Sequence, residues 1–233
     1  MSLADPSPLT ALTTRFEAIL FDFDGVLLES EYAGNRQIAQ YLTSIGHPTT
    51  PEELMANFMG LAGQDFLGAI EKWIGRTIPE DFHAARAEED RRALEDGLPA
   101  VAGAIGFVCA LPPALSRAIA SSSTTKWIAS HLDHLGIRDA FGDHIYSGRE
   151  HVERGKPAPD LYLHAAAALG VDIRNTVILE DSPVGVTGAV ASGAHVIGLC
   201  AGSHCGIGHA DRLRALGVTD IAHDFADVAR LIA

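Results

Sequence analysis

The sequence predicts an α/β protein, in which a parallel-sheet core domain carries a small all-helical domain inserted after the first strand. Short apolar runs alternate with helical patterns over most of the chain, which is typical of a parallel sheet built from strand–helix units. One stretch, residues 32–98, breaks this rhythm and shows helical patterns only. A chain of 233 residues is long enough for a core domain and a smaller companion.

Five short apolar runs are predicted as strands. The first, residues 17–23 (EAILFDF), ends in a polar cluster, as a buried parallel strand does. The other four runs cover residues 117–121, 144–147, 176–179 and 195–200.

Helices are predicted between these strands, over residues 124–135, 160–169 and 183–192. Each of the three ends at a glycine, which favours a helix stop, and the third opens with Pro183, which suits a first helical turn.

The stretch without strands is predicted to hold four helices, over residues 32–45, 51–58, 64–74 and 79–96. The last of them is rich in Arg and Glu pairs at helical spacing, so one of its faces is expected to be solvated. We therefore expect a core domain from residues 16–31 and 99–233, and a helical domain from residues 32–98.

Composition and charge limit the classes of function. The chain has 17 basic and 30 acidic side chains, and its formal charge of −13 disfavours binding to nucleic acid. The charge does not exclude binding of a small anionic substrate, because local donors or a metal ion can reverse the sign of the potential in a pocket. No apolar run reaches the ~18–20 residues of a membrane span, and the N-terminus has no secretory pattern. Three cysteines are too few for a disulfide framework, which favours the cytoplasm.

Two pairs of carboxylates follow predicted strands. Asp22 and Asp24 end the first strand, and Glu180 and Asp181 end a later one. Ligands of open α/β sheets bind at the carboxyl ends of the strands, and Mg²⁺ relieves the repulsion of clustered carboxylates. Taken alone, the first pair is better read as a strand-end turn, and Asp181 could equally cap the next helix. All four acids at one edge favour a metal site.

A hydroxyl and a lysine belong to the same edge. Ser121 ends a strand, and the amides that follow it could cradle a phosphoryl oxygen at a helix start. Lys156 lies in a loop that Pro157 and Pro159 stiffen, and its ammonium could reach a phosphoryl oxygen beside the carboxylates. Ordinary helix capping by Ser123 or Thr124 and a plain surface lysine are the alternatives.

Together, these segments resemble the motifs of the haloacid dehalogenase superfamily. In chain order they are DxDG at residues 22–25, the strand-end Ser121, GKPxPD at residues 155–160 and ED at residues 180–181. The resemblance spans residues 16–232 and is to the branch with a helical cap, which includes phosphoglycolate phosphatases, β-phosphoglucomutases and 6-phosphogluconate phosphatases. It implies a Rossmann-like core and an Mg²⁺-dependent phosphatase for a small phosphorylated metabolite, such as a sugar phosphate.

The resemblance also implies roles for the four acids. Asp22 would be the nucleophile that forms a phosphoaspartate, and Asp24 would protonate the leaving oxygen and then activate water. Mg²⁺ would be held by the Asp22 carboxylate, the Asp24 backbone carbonyl and Asp181, with Glu180 bound directly or through water. The second acid, Asp24, marks phosphatases and phosphomutases of the family and argues against dehalogenation.

The remaining roles concern the substrate. Ser121, Ser122 and Lys156 would bind the transferring phosphoryl group. The cap would select the substrate through the loop at residues 58–64, where Gly60 is the expected contact.

Two other functions stay open at this point. A phosphomutase would need to retain a bisphosphate, and the resemblance places Gly63 near the position where β-phosphoglucomutases carry an arginine, which weakens that reading. A non-enzymatic phospho-acceptor module would also combine acids, a hydroxyl and a lysine, but it has no use for an inserted helical domain.

A cluster of cysteine and histidine follows the fifth strand. Cys200, His204, Cys205 and His209 could suit zinc, but a glycine-rich loop in which His209 begins the next helix is the better interpretation. His164 is expected to be structural rather than catalytic.

Overall fold

The computed structural model describes residues 14–58 and 63–233 of the chain. Within this part, six strands form one sheet in the order β3-β2-β1-β4-β5-β6, and all neighbours pair in parallel. The strands are β1 (Ala18–Phe21), β2 (Ser116–Ser121), β3 (Ile145–Ser147), β4 (Thr176–Glu180), β5 (His195–Leu199) and β6 (Asp220–Ala222).

Strand β1 lies in the middle of the sheet, which explains why its sequence is wholly apolar. All four of its residues are buried, and its side chains alternate between two hydrophobic clusters. Ile19 and Phe21 face one cluster, whereas Leu20 faces the other. The carboxyl end of β1 therefore emerges between two packed layers.

Helices cover both faces of the sheet, as predicted. One face packs against α5 (Ala104–Ala110), α6 (Thr125–Leu135) and α10 (Phe225–Ile232). The other packs against α7 (Asp160–Leu169), α8 (Pro183–Ser192) and α9 (His209–Ala215). The predicted Rossmann-like fold class is confirmed.

The inserted segment is helical in the residues that the structure describes. Its helices are α1 (Ser30–Ser44), α2 (Pro51–Phe58), α3 (Gly63–Ile74) and α4 (Asp81–Asp96). Their buried side chains form a third hydrophobic cluster, separate from the two that flank the sheet. Its members are Ile38, Ala39, Leu42, Leu54, Phe58, Ile70 and Phe82.

The outgoing and returning segments of the insertion are paired. The backbone N–H of Glu29 donates to the carbonyl of Pro99 at 2.9 Å, and that of Val101 donates to the carbonyl of Leu27 at 3.0 Å. This crossing lies close to the predicted domain boundaries at residues 31/32 and 98/99, which stay a prediction.

Three short elements were not predicted, namely β6, α5 and α10. Each has eight residues or fewer, too few for hydrophobic periodicity to separate a helix or strand from a loop. Strand β1 also ends at Phe21, two residues earlier than predicted, because Asp22 and Phe23 begin a turn. Phe23 remains buried there, so the apolar pattern of the sequence continues beyond the end of the strand.

No helix in the described residues combines the length and apolar character that crossing a membrane would require.

The separate cluster in the insertion generates a prediction about local stability. Leu42→Ala is expected to cost about 2–5 kcal/mol, because it removes a fully buried side chain. Hydrogen exchange followed by mass spectrometry should show the loss of protection in α1–α4, with the sheet unchanged. The matched control Leu132→Ala removes the same side chain from beside the sheet and should lower protection there. If both variants lost protection from hydrogen exchange over the whole chain, the result would contradict the inference that the insertion has its own hydrophobic core.

Candidate active site

The turn after β1 brings the first pair of acids to the edge of the sheet. The backbone N–H of Asp22 still donates to the carbonyl of Leu179 at 3.0 Å, whereas Gly25 turns the chain with φ +82°. A side chain at Gly25 would also be excluded by space, since its Cβ would lie 2.0 Å from Oδ2 of Asp181. The glycine of DxDG therefore lets the turn approach the acids that follow β4.

Three of the predicted acids converge beside this turn. Asp22, Glu180 and Asp181 each offer a carboxylate oxygen, and these oxygens lie within 4.8 Å of one another. The three residues are 6%, 0% and 2% exposed, respectively. Burial, and then the charge of Glu180, raises the pKa of both Asp22 and Asp181 well above the ordinary value. The site is therefore a buried concentration of negative charge.

Lys156 supplies the opposing positive charge. Its Nζ lies 2.7 Å from Oδ1 of Asp22 and 2.5 Å from Oε1 of Glu180, and its side chain is only 3% exposed. Burial lowers the pKa of Lys156, but the charges of Asp22 and Glu180 outweigh it, and the pKa is raised overall. The interpretation of Lys156 as a plain surface lysine is wrong.

Glu180 accepts hydrogen bonds from four donors. Besides Lys156, the hydroxyl of Tyr162 donates to its Oε1 at 2.6 Å. The backbone N–H and the hydroxyl of Ser182 donate to its Oε2 at 3.1 and 3.0 Å. Burial, and then the charge of Glu180, raises the pKa of Tyr162, which keeps its hydroxyl a donor. Glu180 is thus fixed in orientation by its neighbours.

Asp24 lies apart from this acidic group and accepts hydrogen bonds from four side chains. Ser30 and the indole N–H of Trp127 donate to its Oδ1 at 2.7 and 3.1 Å. The hydroxyls of Ser123 and Ser121 donate to its Oδ2 at 2.6 and 3.4 Å. The Asp24 carboxylate is not part of the acidic group, so only its backbone carbonyl is a candidate for the metal role.

Ser121 and Ser122 follow strand β2 at the same edge. Ser121 is buried, its Oγ accepts from the backbone N–H of Ser123 at 3.1 Å, and it lies 3.4 Å from Oδ2 of Asp24. Ser122 is exposed and lines the cavity described below. As the capping alternative predicted, a hydroxyl begins α6, where Thr124 accepts from the N–H of Trp127.

A cavity of about 820 Å³ lies over these residues. The core contributes Asp22, Asp24, Ser121, Ser122, Lys156 and Asp181, together with Lys126 and Arg149. The insertion contributes Phe58, Arg86 and Asp90, among others. The predicted contact Gly60 lies outside the described residues.

Several cavity residues were not identified from the sequence, notably Trp127, Arg86 and His204. Trp127 and Arg86 lie on helices whose sequence shows no motif, and only the packing turns them toward the cavity. The histidine of the loop after β5 was noticed, but as a candidate zinc ligand.

The loop after β5 brings together three of the four residues of that zinc hypothesis. Ligand atoms of His204, Cys205 and His209 lie within 4.8 Å of one another, and Cys200 is not in this group. His204 and His209 each already bond Asp181, so a zinc ion would compete with those bonds. His209 begins α9, as expected.

All three cysteines of the described chain are free thiols. His164 contacts the rings of Tyr146 and His151, which agrees with a structural role.

The acidic group fits a hard divalent cation. Oδ1 of Asp181 is buried and has no hydrogen-bond partner in the described residues, which is costly unless a cation lies nearby. The donor set is all oxygen, the chemistry that Mg²⁺ prefers. Both oxygens of Glu180 already accept hydrogen bonds, which favours contact through water at that residue.

Comparisons with known proteins agree with this site. A family model described as a haloacid dehalogenase-like hydrolase matches residues 16–193. The 6-phosphogluconate phosphatase of Escherichia coli K12 is 28% identical, over 82% of this chain and 86% of that protein. Hexitol phosphatase A of the same strain is 30% identical, over 78% of this chain and 82% of that protein.

A solved structure extends the likeness to the fold. The structure of a hydrolase of the same family from Deinococcus radiodurans, with bound phosphate and sodium, superposes with a TM-score of 0.81 at 30% identity. The match covers 95% of this chain and 99% of the other. These matches confirm the predicted hydrolase, and the phosphatase names of the relatives agree with the predicted class of enzyme.

The buried acids generate a prediction about stability and pH. Because the pKa of Asp22 is raised on folding, the folded state holds its proton to higher pH, and stability falls as pH rises above the ordinary value of 3.8. Without divalent cations, Asp22→Asn should therefore be more stable than the wild type at pH 8, and this difference should shrink toward pH 4. Urea denaturation in EDTA measures it.

The matched control is Asp139→Asn, which makes the same change at an exposed aspartate. It should leave the pH dependence of the wild type unchanged. A constant difference between wild type and Asp22→Asn over the whole pH range would contradict the raised pKa.

Proposed function

This chain belongs to the haloacid dehalogenase-like hydrolase family, and we propose that it is an Mg²⁺-dependent phosphatase that hydrolyses a sugar phosphate through a phosphoaspartate intermediate. One observation carries this proposal. The Asp22 carboxylate lies at the carboxyl end of the central strand, in contact with Lys156 and inside a cavity shared by core and insertion. A nucleophile and a cationic group for a phosphoryl oxygen are thus already side by side.

The first step would transfer the phosphoryl group to the enzyme. An oxygen of Asp22 attacks phosphorus and forms the new P–O bond, and the bond from phosphorus to the sugar oxygen breaks. Asp24 gives its proton to that leaving oxygen. Ser121, Ser122 and Lys156 bind the phosphoryl oxygens and hold the group in line for attack.

The second step would regenerate the enzyme. Asp24, now ionised, takes a proton from a water molecule, and the water oxygen attacks the phosphorus of the phosphoaspartate. The P–O bond to Asp22 breaks, which releases inorganic phosphate and restores the Asp22 carboxylate. The donors around Asp24, from Ser30, Ser121, Ser123 and Trp127, hold its carboxylate in place for the two proton transfers.

The acidic group would hold the cation. The ligands are the Asp22 carboxylate, the Asp24 backbone carbonyl and the Asp181 carboxylate, with Glu180 direct or through water. When bound, Mg²⁺ would offset the negative charge of the site and orient the phosphoryl oxygens.

The size and lining of the cavity support a sugar phosphate as substrate. A volume of about 820 Å³ is in the range of pockets for small molecules, and the relatives are named for phosphorylated sugar acids and sugar alcohols. Residues 16–31 and 99–233 would form the catalytic domain, and residues 32–98 a cap that supplies Phe58 and Arg86. The free thiols suit the cytoplasm, which stays a prediction.

A substrate screen with a nucleophile variant tests the proposal. The wild type with Mg²⁺ should release inorganic phosphate from at least one member of a panel of sugar and sugar-acid phosphates. Asp22→Asn should lose more than about 1000-fold in kcat, because the attacking oxygen is gone. Phosphate release, measured beside NMR of the sugar, separates hydrolysis from the phosphomutase alternative, in which phosphate stays on the sugar.

Asp139→Asn is the control for this experiment and should keep full activity, since its carboxylate is exposed and outside the cavity. A folded wild type that hydrolyses nothing in the panel would count against the proposal. So would an Asp22→Asn variant with undiminished turnover.

The cap contact generates a separate prediction about substrate binding. Arg86, on α4, is a cation from the insertion that lines the cavity, and its loss should raise KM about 10- to 100-fold with a smaller effect on kcat. Steady-state kinetics of Arg86→Ala on the best substrate measure this. Arg91→Ala is the matched control on the same helix, since Arg91 bonds Glu88 and Glu95 on the exposed face. Equal KM values in the two variants would show that Arg86 does not contact substrate.

A further inference from the structure

We propose that His204 is a positioning residue for the cation site, which holds Asp181 so that one carboxylate oxygen is presented to the metal. This inference rests on the proposed function, because it takes Asp181 to be a ligand. His209 adds a second restraint at the backbone of the same residue.

The two oxygens of the Asp181 carboxylate are in different environments. Nε2 of His204 lies 2.8 Å from Oδ2, and the two side chains are 5% and 3% exposed. Oδ1 is buried without a hydrogen-bond partner in the described residues. The histidine thus satisfies one oxygen and leaves the other for a ligand.

The geometry also identifies the proton in this contact. When Asp181 is ionised, as a metal ligand is, an unprotonated Nε2 would set its lone pair against a carboxylate oxygen, so Nε2 then carries the hydrogen and donates it to Asp181. Nδ1 of His204 is buried and unpartnered in the described chain, so a second hydrogen there would have no acceptor. The neutral ring with one N–H on Nε2 fits the site, and Sγ of Cys205 lies 3.3 Å from the same nitrogen.

A second histidine of the same loop holds the main chain. Nε2 of His209 donates to the backbone carbonyl of Asp181 at 2.6 Å, and the residue is buried at the start of α9. Strand β5 pairs directly with β4, with Gly198 opposite Glu180, so the loop after β5 lies beside the acids. One loop therefore restrains both the carboxylate and the backbone of Asp181.

Two glycines keep the space that the His204 ring needs. A Cβ on Gly202 would lie 2.6 Å from both Cε1 and Nδ1 of the ring. A Cβ on Gly25 would lie 2.9 Å from Cε1. Both backbone segments therefore lie close to the Cε1 edge of the ring, and a side chain at either glycine would crowd it.

Partners of this kind around a metal ligand change metal affinity by roughly 10- to 100-fold when they are removed. We therefore expect His204→Asn, which moves the donor out of reach of Oδ2, to raise the Mg²⁺ midpoint by this factor. His204→Gln places an amide nitrogen near the former Nε2 and should keep the midpoint within about 3-fold of wild type. Saturating Mg²⁺ should restore most of the turnover that His204→Asn loses at low Mg²⁺.

Two readouts measure the Mg²⁺ midpoint. The first is the rise in Tm with Mg²⁺ concentration, which needs no substrate. The second is the Mg²⁺ dependence of phosphate release. His223→Asn is the control, because His223 is an exposed histidine that does not line the cavity. Gly202→Ala keeps the imidazole but crowds it, and it should raise the midpoint even if His204→Asn fails to fold.

The possible results separate the two proposals. Wild-type midpoints in both His204→Asn and Gly202→Ala would overturn the role of His204 and leave the phosphatase intact. Loss of turnover at saturating Mg²⁺ with an unchanged midpoint would also overturn it, since the histidine would then act in the chemistry. A wild type with neither a Tm shift nor turnover would refute the proposed function, and this inference with it.

Discussion

The repulsion among buried carboxylates is the constraint on which the rest of this site depends. Asp22, Glu180 and Asp181 converge because β1 and β4 are neighbours and end at the same edge. Only one buried cation, Lys156, touches this group in the described residues, and it touches two of the three acids. Burying like charges costs several kcal/mol per ion unless each is compensated. The group therefore either takes up protons, in the direction of the raised pKa values of Asp22 and Asp181, or gains a further positive charge.

The distribution of hydrogen-bond donors then gives the acids different properties. Glu180 is surrounded by donors from Lys156, Tyr162 and Ser182, and this fixes its orientation. Among the described residues, Asp181 has a donor at one oxygen only, and its other oxygen is buried without a hydrogen-bond partner. In the proposed mechanism, these different surroundings give four carboxylates the roles of a fixed acid, a metal ligand, a nucleophile and a proton carrier.

Residues at strand ends were predictable, whereas residues that reach the site by packing were not. Asp22, Ser121 and Asp181 follow apolar runs, and parallel topology alone brings such positions to one edge. The contact of Trp127 with Asp24 spans 103 positions of sequence and depends on how α6 lies against the sheet. The partners of His204 depend in the same way on two glycines and a turn. No local pattern records such contacts, and this also explains why short elements such as β6 were missed.

The position of the insertion adds the last element of the argument. The chain leaves the core only a few residues after Asp24, and Ser30, which bonds Oδ1 of that acid, is the first residue of α1. The other donors to Asp24 come from the core, at Ser121, Ser123 and Trp127. The carboxylate is therefore held jointly by the sheet side of the cavity and by the helix that opens the insertion.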